Sequence, residues 1–293
     1  MEIKAGYEDI VVLDSITKLL PAHVGHVVIA ASHGGSYTAW CAARGGVRAV
    51  VFNDAGVGWQ QAGIAGLHVL QQWGIAATAA DYRSCRIGDG ADMAQHGRIS
   101  YVNHLAHALG CQLGMAVMQA AQGLRHASRV SVTLAPTQEA RQTLRVADDG
   151  TPQVVGADSV SLVDARDDGL IVVTASHGEC LAGLGGDGVR AVPRLVTFND
   201  AGMGKARAGT GRLPYLQQRG IAAVTVSAQS ARIGEARSCY ETGVISCVNA
   251  HAHDLGCRVG MSLRTTIENL LTRDQALQES TQYGGTNLGN YRR

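Results

Sequence analysis

Two Ser-His-Gly triplets, Ser32-His33-Gly34 and Ser176-His177-Gly178, are each followed by an Asn-Asp-Ala-Gly run, Asn53 to Gly56 and Asn199 to Gly202. A histidine titrates near neutrality and can pass a proton either way, which makes His33 and His177 candidate general acid/bases. Asp54 and Asp200 sit where they could orient the imidazole or accept its proton. The same residues have structural readings: the histidines as hydrogen-bond partners after a strand, Asp54 as a helix cap.

A third shared segment pairs Ser84-Cys85-Arg86-Ile87-Gly88-Asp89 with Ser230-Ala231-Arg232-Ile233-Gly234-Glu235. Ser84 and Ser230, or Ser32 and Ser176, are candidate nucleophiles or hydrogen-bond donors if a histidine reaches them. Cys85 becomes Ala231, so it is no nucleophile common to both segments. Arg86 and Arg232 can hold a carboxylate or phosphate through a bidentate fork, or pair with Asp89 and Glu235 to pin the loop. Gly34, Gly35 and Gly56 present backbone amides suited to an anion or a developing oxyanion. Asn53, Asn199, Asn103 and Asn249 complete the shared polar set, as substrate-binding candidates.

Cofactor signatures are missing. The chain has no Gly-x-Gly-x-x-Gly with its downstream acid and no phosphate-binding Gly-x-x-x-x-Gly-Lys-Ser/Thr. No His-x-x-x-His or Cys-x-x-Cys pair is shared by the repeated segments, so neither cofactor nor metal is expected. The His-Gly triplet followed by an Asp-Ala run resembles the caspase-like cysteine peptidases over two short motifs. Gly56 or Gly202 stands where that family carries its nucleophilic cysteine, so no peptidase activity follows.

These motifs belong to a longer repeat, residues 12–117 recurring at 156–263. Asp14-Ser15 falls on Asp158-Ser159 and Phe52-Asn53 on Phe198-Asn199, with two extra residues in the second copy between Gly35 and Phe52 on the first copy's numbering. A period this long indicates a duplicated domain rather than a solenoid. Continuous apolar runs predict strands over Ile10–Leu13, His26–Ala31, Ala49–Asn53, Ile75–Ala80 and Ile99–Asn103, buried on both faces. The second copy repeats them over Leu170–Ala175, Leu195–Asn199, Ile221–Ser227 and Ile245–Asn249. Helices are predicted over Tyr37–Arg44, Ala62–Trp73 and His104–Leu109.

The pattern predicts an α/β protein of two tandem homologous domains, doubly wound and Rossmann-like with parallel sheets, related by pseudo-twofold symmetry. The domains span 1–117 and 156–271, separated by a linker at 118–155 with a β-hairpin, and a polar tail occupies 272–293. Ligands of such sheets bind at the carboxyl ends of the strands, where the shared polar residues fall.

The 293 residues include 37 glycines but only 3 Trp, 8 Tyr and 2 Phe, so the core must rest on Val, Ile, Leu and Ala. A formal charge of +1 without a basic run argues against nucleic acid or an anionic membrane as partner. The first ten residues lack a basic head and an apolar stretch, and cytoplasmic location is the expectation.

The functional expectation is a hydrolase, an amide or ester acyl transfer, on a small anionic metabolite. The alternatives are a cofactor-independent isomerase, racemase or lyase with its site between the halves, and a non-catalytic ligand-binding or assembly protein; a second copy of the chain is an expected partner under any of these readings. Glu179, replacing Gly35, is expected to repel an anion and favour binding in the first copy.

Overall fold

The computed structural model describes residues 8–183 and 185–284, the last eight by backbone alone. The apolar runs of the first half become β1 (Ile10–Leu13), β2 (Val27–His33), β3 (Ala49–Asn53) and β4 (Ala76–Ala80), parallel and in that spatial order. β5 (Ile99–Val102) closes the edge antiparallel to β4. The second sheet contains β6 (Arg141–Val146), β7 (Pro152–Ala157), β8 (Ile171–His177), β9 (Leu195–Asn199), β10 (Ala222–Val226) and β11 (Ile245–Val248). Its order is β11-β10-β9-β8-β7-β6, with β7 to β10 parallel and both edges antiparallel.

Register repeats as well as order. Ile10 lies opposite Val27 as Val154 lies opposite Ile171, and Ala49 opposite Ala76 as Leu195 lies opposite Ala222. β6 and β7 pair as an antiparallel hairpin, in which β7 takes the place that β1 has beside β2 and only β6 is additional. The antiparallel direction of β5 and β11 differs from the all-parallel expectation for those strands. The Asp81 N–H bonds the Arg98 carbonyl, so β5 starts at the rim where β4 ends and must run back.

Strand order does not reverse as it does in a doubly wound sheet. Parallel crossovers are right-handed, so successive steps in one direction place their connections on one face. The helices between strands, α1 (Ser36–Arg44) and α2 (Ala65–Gln72), accordingly share a core with Val28, Val50 and Phe52. The opposite face is covered by the chain after β4: α3 (Gly90–His96), α4 (His104–Ala108) and α5 (Val117–Leu124) bury Met93, Ala106 and Leu124 against Ile29 and Val51. The second half uses α6 (Arg212–Gln218), α7 (Ala236–Thr242), α8 (Ala250–Asp254) and α9 (Leu263–Gly284). Helix α9 carries into the segment expected to be a tail from residue 272, and the rest of that tail, 285–293, lies outside the described residues. Among the described residues, no helix is long and apolar enough to cross a membrane.

The halves differ where the insertion falls, because among the described residues no helix equivalent to α1 joins β8 to β9. That stretch contains Gly178, Gly183, Gly185, Gly186 and Gly188, and each glycine costs about 1 kcal/mol relative to alanine in a helix. Arginines replace the missing helical hydrogen bonds. Arg212 donates to the carbonyls of His177 and Asp187, and Arg219 to those of Val189 and Ala191 and to the Asp187 carboxylate.

The loops after β3 and β9 cross each other with almost no side chain between them. Ala55, Gly56, Val57 and Gly58 all have left-handed φ, as do Ala201, Gly202, Met203 and Gly204. The Trp59 N–H bonds the Ala228 carbonyl at 2.6 Å, and reciprocally the Lys205 N–H bonds the Tyr82 carbonyl at 2.9 Å. Ala55, Ala62, Ile87, Ala201 and Ile233 form a small apolar core around the crossing. A Cβ added at Gly56 would stand 2.8 Å from the Gly202 Cα, and φ there is +73°. Gly56→Ala and Gly202→Ala should therefore each destabilise the protein by about 2–4 kcal/mol, combining left-handed strain with overpacking. Urea unfolding followed by circular dichroism checks this, and a loss below about 0.5 kcal/mol would mean that the crossing can spread.

Candidate active site

Because β2 and β8 end on the rims that face each other, their terminal histidines enter one cleft of about 540 Å³. Equivalent residues line it from both sides: Ser15 with Ser159, Thr17 with Ser161, Ser32 with Ser176, and His33 with His177. Each imidazole also lies against the other half's Arg-Ile-Gly loop. A Cβ at Gly234 would stand 3.3 Å from His33 Cε1, and one at Gly88 would stand 3.2 Å from His177 Cε1.

Burial decides the protonation of both rings. Desolvation pushes His33 down to about 4. His177 falls to about 3, again chiefly through burial, with the Arg212 and His33 charges adding to it. Both are neutral at pH 7. His33 Nδ1 accepts the Gly35 N–H at 3.1 Å, which places the proton of the neutral ring on Nε2. The Glu179 backbone beside His177 works against that ring's fall and is the smallest of the causes of its shift.

The aspartates do not reach these rings. Asp54 accepts from the Gly56 and Tyr82 N–H groups and from the Ser100 hydroxyl. Its carboxyl is raised above the usual range by burial, against the pull of those bonds. Asp200 accepts from the N–H groups of Gly202 and Ala228. Both carboxylates brace the crossing loops, a role closer to the capping alternative than to orientation of an imidazole.

The serines are similarly engaged. Ser84 donates to the Asp81 carbonyl and accepts from the Arg98 N–H, while Ser230 donates to the Ser227 carbonyl and accepts from the Val244 N–H. Ser32 and Ser176 line the cleft and accept from the N–H groups of Ile16 and Val160. Among the described residues, no hydrogen bond joins any of these serines to His33 or His177.

Neither arginine expected to bind an anion is free. Arg86 reaches across the halves to Glu179, with Nη2 to Oε2 at 2.5 Å, rather than to Asp89, which caps α3. Arg232 pairs with Glu235 at 2.7 Å and donates to Gln60. Glu179 is thus part of an ion pair, 4% exposed, and not a bare charge repelling a ligand. The amides of Gly34, Gly35 and Gly56 are bonded to the Asn53 carbonyl, His33 Nδ1 and Asp54. Asn53 and Asn199 accept from Ala55 and Ala201, while Asn103 and Asn249 cap α4 and α8 and tie them to β4 and β10.

Other cleft residues escaped the sequence reading because they have no equivalent in the other half. Glu139, from the linker, lines the cleft and is pushed up to about 7 by burial and then by the charge of Asp158, against the Ser159 hydroxyl. Arg212 occupies the position aligned with Gly66 and is 3% exposed. The exchange of glycine for arginine between otherwise matching segments was the available signal. A second cavity, of about 460 Å³, adjoins at His33, Tyr37 and Glu139.

Compared with protein-family models, curated proteins and solved structures, the chain finds no match.

Stability should follow the histidines as pH falls. A ring whose folded pKa lies below its unfolded value of about 6.5 leaves the unfolded state binding more protons, so stability is lost below that value. The loss from His33 runs down to about pH 4 and that from His177 to about pH 3. Glu139, raised to about 7, acts oppositely, adding stability that is lost as pH rises from 4.5 towards 7. With two histidines against one glutamate, unfolding free energy should fall between pH 6.5 and 4.5, and His177→Gln should flatten that slope. A slope unchanged by the substitution would mean that His177 is not held neutral.

Proposed function

We propose that the cleft between the halves is the active site of an enzyme that moves protons at carbon, an isomerase, racemase or lyase acting on a small polar molecule. The halves are inferred to be copies of one ancestral domain meeting about an approximate twofold axis, which the reciprocal Trp59–Ala228 and Lys205–Tyr82 hydrogen bonds support. Such an axis brings equivalent groups to opposite sides of a bound molecule. The observation that carries the proposal is the pairing of His33 and His177, both neutral, both lining one cleft.

Removal of a carbon-bound proton requires a base within reach and a place for the electron pair, an adjoining carbonyl oxygen in the simplest case. One imidazole accepts the proton and becomes imidazolium, and either that ring or the protonated Glu139 carboxyl, raised to about 7, returns a proton to carbon. The low pKa values make the free histidines weak bases, but a bound anion favours the protonated imidazole and lifts both towards neutrality. Acyl transfer through a serine has less support, because the hydroxyls of Ser84 and Ser230 are tied to backbone.

Incubation in D2O with a panel of small carbonyl compounds bearing an α-hydrogen tests the reading, with deuterium uptake followed by proton NMR. One or more should exchange, and His33→Gln and His177→Gln should each slow exchange about 100-fold or more. Exchange indifferent to both substitutions would remove the histidines from the chemistry. Ester or amide cleavage without exchange would favour acyl transfer instead.

A further inference from the structure

The cleft is nearly symmetric in its histidines and serines, but among the described residues that line it Arg212 is the one buried guanidinium, and it makes no ion pair, since the nearby Glu179 and Asp187 are paired with other arginines. Arg212 stacks over the Phe198 ring, 5.3 Å from its centroid, and lines the cleft beside His177. Its Nε and Nη1 donate to the carbonyls of His177 and Asp187, while Nη2 makes no hydrogen bond to any described residue. Every nearby anion is engaged elsewhere or neutral. Glu179 is paired with Arg86, Asp187 is paired with Arg219, and burial pushes the Cys180 thiol up to about 11. A cation removed from water and bonded only to neutral carbonyls is held at considerable cost, and an anion arriving in the cleft relieves that cost.

We propose that Arg212 is the anchor for a substrate carboxylate, so that the cleft takes a small carboxylic acid whose reacting carbon lies between the two imidazoles. This rests on the proton-transfer reading only for the fate of the bound molecule. The planar guanidinium, itself buried, offers Nη2 to a carboxylate oxygen in the cleft, where a charge-assisted bond is strong. It also breaks the equivalence of the halves. The first half has Gly66 at the aligned position, where a Cβ would stand 2.2 Å from the Gly35 carbonyl oxygen, so no side chain can enter there. The molecule is therefore bound in one orientation, with its acid group towards the His177 side. Neutralising Arg212 also lessens the charge that opposes protonation of His177, so binding prepares that ring to accept a proton.

Calorimetric titration of the full chain with acetate, lactate and succinate, each beside its uncharged amide, tests the anchor. At least one acid should bind tenfold or more tightly than its amide, and Arg212→Gln should abolish that preference while Arg212→Lys keeps part of it. No preference for any of the three acids, or a preference that survives Arg212→Gln, overturns the proposal. If Arg212→Gln does not fold, the unaltered protein supplies the readout. The Arg212 Nε–H resonance should shift and the His177 titration should move upward with the acid but not with its amide, and their constancy overturns it equally. Carboxylate binding through Arg212 without any D2O exchange would remove the proton-transfer reading and leave the anchor. Exchange that depends on His33, without acid preference, would do the reverse.

Discussion

At Gly56 and Gly202 two backbones cross so closely that a side chain on either would meet the other's Cα, and the placement of both histidines follows from that crossing. A β-branched residue rarely adopts left-handed φ, yet Val57 holds +62° in this loop. Such strain persists only where surroundings over-determine it. Here the surroundings are Asp54 and Asp200, each collecting N–H groups from its own loop and from the turn after the next strand. The carboxylates that looked like partners for the histidines instead hold the loops that bring the halves together. Their effect on the cleft is through position.

From this crossing the cleft is assembled across the halves. Each Arg-Ile-Gly loop lies against the opposite imidazole, and the glycine in it leaves space where a side chain would press on the ring. Arg86 crosses to Glu179, while Arg232 crosses to Gln60 as well as holding Glu235. A site of this kind is incomplete in either half alone. Burial of both rings is a consequence of the same assembly, and burial is the leading cause of their depressed pKa values.

One difference between the halves is the glycine-rich connection between β8 and β9. Without a helix there, its carbonyls need donors, and Arg212 and Arg219 provide them from α6 and the residue after it. A structural repair thereby leaves a guanidinium in the cleft on one side only. The two jobs are compatible, because Arg212 bonds the loop with Nε and Nη1 and retains Nη2.

Strand positions were legible from the sequence, since runs such as Ala49–Asn53 and Leu195–Asn199 are apolar throughout and burial on both faces demands it. His33 and His177 could be placed at strand ends for the same reason. The direction of β5 and β11 was not legible, because an apolar run is the same read either way and only the rim at which the preceding loop ends decides it. Nor was the unreversed strand order, which depends on which side of the sheet each connection passes. Which of their open readings Asp54, Ser84 and Arg86 would follow was not legible, because residue type states what a group can bond, whereas its partner is chosen by folding: backbone amides for Asp54, a carbonyl for Ser84, and a glutamate 93 residues away for Arg86. Comparison of the two segments exposes what they share, so Glu139 and Arg212, each present on one side only, are placed in the cleft by the tertiary structure, with the Gly66-to-Arg212 exchange the one sequence trace of it.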